Sequence, residues 1–177
     1  MKKISLDELG RISLEEFHRS EKSSIAVVLD NIRSQHNIGS VFRTSDAFRI
    51  EKIYLCGITA TPPNREIQKT ALGATESVEW EYFEKTSLAI AELKKLGYVI
   101  ISIEQVEGGT NLNEFVPEKN NKYALVFGNE VKGVEQEIVD LSDLCLEIPQ
   151  FGTKHSFNVS VSAGIVIWDI FNKLKNI

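Results

Sequence analysis

The sequence predicts one α/β domain over residues 25–177, with a mostly parallel sheet and helices on both of its faces. Two observations lead to this fold class. Short runs of consecutive apolar residues recur along the chain, and stretches with helical spacing of apolar residues separate them. Unbroken apolar runs are typical of strands buried on both faces, as in parallel sheets. A chain of 177 residues with 42% hydrophobic side chains is long enough for one core.

The chain begins with a polar segment, residues 1–24, that carries both signs of charge. Ser5 stands three positions before Glu8, and Ser13 stands three positions before Glu16. This is the spacing of a capping box, in which a serine and a glutamate close the start of a helix. We therefore expect a short N-terminal extension with two short helices.

The remaining elements follow from apolar periodicity. The predicted strands are apolar runs bounded by polar or turn residues, at 25–30, 52–58, 78–83, 98–103, 123–128 and 144–149. The predicted helices are amphipathic stretches at 34–46, 87–97, 133–141 and 158–174. Pro62 and Pro63 mark the loop 59–64. Because ligands bind beyond the carboxyl ends of parallel strands, we expect a site in the loops after residues 30, 103, 128 and 149.

Composition and missing motifs exclude several classes. A net charge of −5 argues against a protein that coats nucleic acid, although a few placed cations suffice for a brief RNA contact. The absence of GxGxxG, GxxxxGK[ST], HExxH and GxSxG argues against dinucleotide, P-loop, zinc and serine-hydrolase sites. Cys56 and Cys145 lie in apolar runs, so we expect reduced core residues in a cytoplasmic protein. We expect no metal site and no membrane span.

The stretch "SQHNIGSVFRTSD" (34–46) is the first candidate for function. Asn37, Ser40 and Arg43 share a polar stripe of the predicted helix, opposite its apolar residues. The helix follows directly on the carboxyl end of a strand. A surface helix needs a polar stripe in any case, so periodicity leaves both a solvated and a functional role open.

Two later stretches also follow strands. In "LVFGNEVKGV" (125–134), glycine would let the backbone approach a ligand closely, or would only serve a strand-to-helix turn. In "EIPQFGTKHSFNVSVSAGIVIWD" (147–169), Ser156, Asn158 and Ser160 offer hydrogen-bonding groups. These groups could bind a ligand or only cap the last helix.

Taken together and in order, the three stretches resemble the three motifs of the SpoU/TrmH-type RNA 2′-O-ribose methyltransferases of the SPOUT superfamily. The matching segments are "NIGSVFRTSDAF", "LVFGNEVKGV" and "IPQFGTKHSFNVSVSAGI". The resemblance implies a C-terminal deep trefoil knot, a homodimer, S-adenosylmethionine bound in the knot and an active site near the dimer interface. A knot breaks the rule that chains do not thread their own loops, so periodicity alone would never propose it.

The resemblance also implies roles for individual residues. Those implied to be catalytic are Asn37, Arg43, Glu130, Ser156 and Asn158. Those implied to contact the cofactor are Ile103, Gly128, Ile148, Ser156, Phe157 and Asn158. The chain departs from the family's usual Ala, Gly, Met and Leu at Ser40, Arg49, Gln150 and Phe157. None of these departures changes Arg43, Glu130 or Asn158, so we expect an active enzyme.

The implied reaction is S-adenosylmethionine-dependent methylation of a ribose 2′-OH in tRNA or rRNA, with tRNA favoured because no long RNA-binding segment precedes the first strand. The guanidinium of Arg43 either takes the hydroxyl proton with help from a substrate phosphate or clamps that phosphate.

Phosphate contacts are considered for Arg33, Arg65, Lys69, Lys132 and Lys154, where a solvated surface charge is the favoured alternative. A non-catalytic RNA-binding or cofactor-binding module is the alternative function, and a base methyltransferase is disfavoured because the motifs are of the ribose type.

Overall fold

The computed structural model describes residues 1–5 and 7–175. Within them, the strands are β1 (Ser23–Asp30), β2 (Ile50–Cys56), β3 (Trp80–Phe83), β4 (Tyr98–Ile103), β5 (Thr110–Asn111), β6 (Lys122–Phe127) and β7 (Leu144–Glu147). The helices are α1 (Leu14–Arg19), α2 (Gln35–Ala47), α3 (Arg65–Ala71), α4 (Ala74–Ser77), α5 (Thr86–Lys95), α6 (Gln136–Leu141) and α7 (Val159–Lys175), preceded by a short 3₁₀ helix at Asp7–Leu9.

The seven strands of the described residues form one parallel sheet in the order β3-β2-β1-β6-β4-β7-β5. Alternate side chains of β1 point to opposite faces, so Val27 and Leu29 enter one core while Ala26 and Val28 enter the other. Helices α2 and α7 cover the first face, and α5 and α6 cover the second. The predicted α/β class with helices on both faces is confirmed.

Of the two helices predicted in the N-terminal segment, only the second forms an α-helix, which is α1. Ser13 and Glu16 make the predicted capping box: the Ser13 hydroxyl accepts from the backbone of Glu16, and the Glu16 carboxylate accepts from the backbone of Ser13. The backbone N–H and the hydroxyl of Ser5 both donate to the Glu8 carboxylate, but only a three-residue 3₁₀ helix follows, and Leu6 lies outside the described residues. Helix α1 inserts Phe17 into the main core.

Three short elements were not predicted: α3, α4 and β5. Helix α3 has seven residues, α4 has four and β5 has two, so none shows a full apolar period. Helix α3 packs tightly on α2 at Gly39, where a Cβ would lie 2.2 Å from the carbonyl oxygen of Ile67. Gly39 is therefore required by helix packing.

Two predicted boundaries are shifted for local reasons. The strand predicted at 52–58 ends at Cys56, because Gly57 has a φ of +63° and Ile58 is exposed. The helix predicted at 133–141 begins only at Gln136, because the residues before it form a tight loop.

The two cysteines differ in burial. Cys56 is fully buried, and burial raises the pKa of its thiol to about 12. Cys145 is only half-buried, so its prediction as a core residue is wrong. Its strand β7 is bordered on one side by the two-residue β5, which leaves that part of the sheet open to solvent.

Candidate active site

The carboxyl ends of β4, β6 and β7 open onto a cavity of about 530 Å³. Its walls come from the end of β4, the loop after β6, the segment after β7 and the first turn of α7. The six residues expected to contact a cofactor all line it: Ile103, Gly128, Ile148, Ser156, Phe157 and Asn158. Cavities of this size hold small-molecule ligands in many proteins.

The loop after β6 is a tight turn over residues 129–133. The backbone N–H of Asn129 donates to the carbonyl of Gly133 at 2.9 Å, and Gly133 donates back at 2.8 Å. A Cβ at Gly128 would lie 2.1 Å from the backbone nitrogen of Val134. Gly128 is therefore required by the folding of its own loop, whatever ligand that loop binds.

The carboxylate of Glu130 caps the beginning of α2. It accepts hydrogen bonds at 3.1 Å from the backbone N–H of Arg33 and of Ser34. It also accepts from Asn37 Nδ2 at 3.1 Å. A helix start carries unpaired N–H groups and a partial positive charge, so a carboxylate is stabilised there. Glu130 thus joins the loop after β6 to the loop after β1.

These contacts set the charge of Glu130. Partial burial disfavours its ionised form, but hydrogen bonds from its own backbone, from Arg33, from Asn37 and from Ser34 outweigh that effect and hold its pKa below the ordinary value. The side chain is therefore a carboxylate at neutral pH and already accepts three hydrogen bonds from other residues. It is poorly suited to accept a proton as a general base.

Asn37 extends this connection to the last helix. Its Oδ1 accepts from Asn158 Nδ2 at 3.2 Å, while Asn158 Oδ1 accepts from the backbone and hydroxyl of Ser160 at 2.9 and 2.7 Å. Asn158 therefore caps α7, which is one of the two roles that the sequence left open, and it also binds Asn37. Glu130, Asn37 and Asn158 form a continuous chain of side chains, called here the amide junction.

Arg43 stands apart from the amide junction. It is exposed on α2, six residues beyond Asn37 and about 9 Å further along the helix axis. It is not among the residues that line the cavity. Ser40 lies between them, half-buried, with its hydroxyl bonded to the carbonyl of His36.

The candidate phosphate-binding residues are spread around this edge. All five are exposed: Arg33, Arg65, Lys69, Lys132 and Lys154. Lys132 lines the cavity, whereas Lys69 is paired with Glu66 at 2.7 Å. The structure therefore favours Lys132 over Lys69 as a free cation beside the cavity.

Sequence reasoning missed three polar residues at this edge. Glu104 and Gln105 follow β4 directly and line the cavity, and their position after a strand was a usable signal. Asp30 is fully buried at the end of β1, where it accepts from Thr86 Oγ1 and from the backbone N–H of Glu135. Its hydrogen bonds fix the end of the loop that carries Glu130, which no local pattern could reveal.

Among residues 1–5 and 7–175, no group of three or more His, Cys, Asp or Glu side chains is arranged to hold a metal ion. Within the same residues, no helix combines the length and the apolar character needed to cross a bilayer.

The chain is similar to known proteins over most of its length. Residues 24–168 match the SpoU rRNA Methylase family. The tRNA (guanosine(18)-2′-O)-methyltransferase of Aquifex aeolicus is 30% identical over 160 residues, which are 88% of this chain and 72% of that protein. The chain therefore belongs to the SpoU methylase family.

Two solved structures share the fold. The A. aeolicus TrmH/SpoU tRNA modifying enzyme superposes with a TM-score of 0.81 at 25% identity, covering 92% of this chain and 83% of that one. The AdoMet-bound rRNA methyltransferase from Sinorhizobium meliloti has a TM-score of 0.79 at 25% identity, covering 93% of this chain and 62% of that one.

Proposed function

We propose that this protein transfers a methyl group from S-adenosylmethionine to a ribose 2′-hydroxyl of tRNA or rRNA, with tRNA favoured. The observation that carries the proposal is the amide junction, in which Asn37 joins Glu130 to Asn158, and both of these partners line the cavity. A tRNA 2′-O-methyltransferase and an AdoMet-bound rRNA methyltransferase are among the family's members to which the chain is similar.

The cavity fits the cofactor of the family. Its volume of about 530 Å³ lies within the range of small-molecule sites. Its walls combine apolar side chains, such as Ile103 and Ile148, with the polar groups of Ser156 and Asn158. When bound, S-adenosylmethionine supplies an already activated methyl group, so the protein's own task is positioning and proton removal.

The amide junction would orient the substrate. Asn158 and Ser156 lie at the cavity wall and would donate to or accept from the reacting ribose or the cofactor. Glu130 would hold Asn37 in place without itself taking the proton, since its hydrogen bonds lower its pKa. Arg43 would clamp an RNA phosphate with its planar guanidinium, which can donate two parallel hydrogen bonds to the phosphate oxygens.

A homodimer is part of the proposal. One face of α7 leaves Val161 and Trp168, two turns apart, 48% and 56% exposed. Ile165 is half-buried between them, and there is open space where a Cβ of Gly164 would lie. A second copy packed on this face would bury Val161, Ile165 and Trp168. It would also complete an active site that includes Arg43.

The family's trefoil knot is also part of the proposal. The connection over 104–121 reaches past β7, with which β5 pairs, before it returns to β6 between β1 and β4. The segment over 148–158 leads from β7 to α7, which packs on α2. Gln105 Nε2 donates to the carbonyl of His155 where these connections meet. This contact between the two connections supports the proposal of a threaded chain.

Methyl transfer to purified RNA tests the proposed activity. The protein is incubated with S-adenosylmethionine carrying a labelled methyl group and with separate tRNA and rRNA fractions, and we expect label in the tRNA fraction. Label in rRNA alone would overturn the favoured substrate. Cofactor binding without label in either RNA would favour the non-catalytic module.

Substitution of Arg43 tests its role. Arg43→Lys keeps the charge but loses the planar fork, so we expect turnover to fall at least about tenfold. Arg19→Lys, on the exposed face of α1, is the matched control. Near-normal turnover of Arg43→Lys would refute the clamp.

RNA affinity should also fall steeply with added salt if cations such as Lys132 bind phosphates. A flat salt response would rule out phosphate-dominated binding.

A further inference from the structure

Glu104 is a cavity residue with unused hydrogen-bonding capacity. It follows the last residue of β4 and lines the cavity. Its Oε2 accepts from the backbone N–H of Val134 at 2.8 Å, and its Oε1 accepts from the backbone N–H of Gln105 at 2.9 Å. A carboxylate has about four acceptor positions, so each oxygen can accept at least one more hydrogen bond.

The surrounding backbone is shaped around this carboxylate. A Cβ at Gly133 would lie 2.0 Å from Glu104 Oε2, and Gly133 has a φ of +70°. Gly133 therefore lets the loop close against the side chain while Val134 binds it. Two backbone donors and a bare glycine fix the side chain against the loop that borders the cavity.

The free positions of a fixed carboxylate suit a pair of adjacent hydroxyl donors. A nucleoside offers such a pair in its ribose 2′- and 3′-hydroxyls. An acidic residue near the carboxyl edge of a parallel sheet binds a ribose hydroxyl in doubly wound dinucleotide-binding folds, which shows that the chemistry works in this type of setting. Hydrogen bonds to a charged acceptor are stronger than those between neutral groups.

We propose that Glu104 binds the ribose hydroxyls of the cofactor's nucleoside and thereby positions it in the cavity. This inference rests on the proposed function only in that the cavity holds S-adenosylmethionine. Glu104 is one of three carboxylates lining the cavity, with Glu130 and Glu147. It differs from Glu130, whose oxygens already bind the start of α2.

Calorimetric binding of two ligands tests the inference. The ligands are S-adenosylhomocysteine and its analogue with hydrogen in place of both ribose hydroxyls. The variants are Glu104→Gln, which keeps the size of the side chain and one oxygen for Val134, and Glu107→Gln, an exposed control on the same connection. Thermal unfolding of each variant checks that the loop stays folded.

We expect Glu104→Gln to weaken S-adenosylhomocysteine about tenfold or more, since a hydrogen bond to a charged group is lost. The analogue without ribose hydroxyls should bind the unchanged protein and Glu104→Gln with dissociation constants that agree within about threefold, because the hydroxyls that Glu104 would bind are missing. The control should bind both ligands like the unchanged protein. An equal loss for both ligands would assign Glu104 to loop structure or to the amino group, and no loss would remove it from the site; either result overturns the inference.

The same measurements separate this inference from the proposed function. If the unchanged protein binds S-adenosylhomocysteine and the ribose-dependent difference appears, but no RNA is methylated, only the methylation proposal fails. If RNA is methylated and the difference is absent, only the role of Glu104 fails. If the unchanged protein binds neither ligand, both fail.

Discussion

Replacing Glu130 with alanine should both destabilise the protein and weaken ligand binding in the cavity. The change removes the acceptor of three hydrogen bonds of 3.1 Å, two from the backbone at the start of α2 and one from Asn37. Loss of a helix-capping side chain costs about 0.5–2 kcal/mol. Three hydrogen bonds would contribute about 3 kcal/mol together, but Glu130 is exposed and water replaces part of them, so we expect a loss of about 2 kcal/mol in the free energy of unfolding.

For a chain of this length, that loss corresponds to a fall of roughly 4–8 °C in the unfolding midpoint. Scanning fluorimetry at fixed protein concentration and pH 7 measures it, with Glu107→Ala as an exposed control. S-adenosylhomocysteine affinity should fall as well, because Asn37 loses a partner while it still binds Asn158. A midpoint within about 1 °C of the unchanged protein would refute the capping role of Glu130.

Three further outcomes follow from the structure. The pKa of Glu130 is lower in the folded protein than in the unfolded chain, so its ionised form stabilises the fold at neutral pH. The midpoint difference between the unchanged protein and Glu130→Gln should therefore be full at pH 7 and shrink as the pH falls below the ordinary glutamate pKa of about 4.3. A difference that stays constant with pH would contradict the charge effect. Gly39→Ala should cost about 1–3 kcal/mol by forcing α2 from α3, while Gly152→Ala, with nothing within 4 Å of its Cβ position, should leave the unfolding midpoint unchanged; equal midpoints would refute the packing constraint. Trp168→Glu tests the proposed homodimer: light scattering should give the mass of a dimer for the unchanged protein and of a monomer for the variant, and equal masses would argue against the α7 interface.

The main strands could be predicted because each is a continuous apolar run, as in β1 and β6. Short elements such as α3 and β5 could not, since they are stabilised by contacts with α2 and β7 and carry no period of their own. The predicted boundaries of elements were wrong where the conformation of a single residue decides them, as at Gly57.

The candidate residues could be named from the motifs, but their arrangement could not. Glu130 meets Arg33 and Ser34 across nearly a hundred positions of sequence, and no periodicity links such distant segments. Glycine at position 128 suggested a ligand contact, whereas its first requirement is the close approach of Gly133 and Val134. Arg43 does not line the cavity of one chain, so its proposed role depends on a second copy.

Nucleoside analysis of the methylated RNA tests the central claim most directly. RNA from cells that lack the gene is incubated with the protein and S-adenosylmethionine and is then digested to nucleosides. Mass spectrometry measures the masses of the ribose and base fragments of each nucleoside separately. The proposed function predicts one or a few nucleosides that gain a methyl group on the ribose fragment, and no gain with Arg43→Ala. A methyl group on the base fragment, or full ribose methylation by Arg43→Ala, would contradict it.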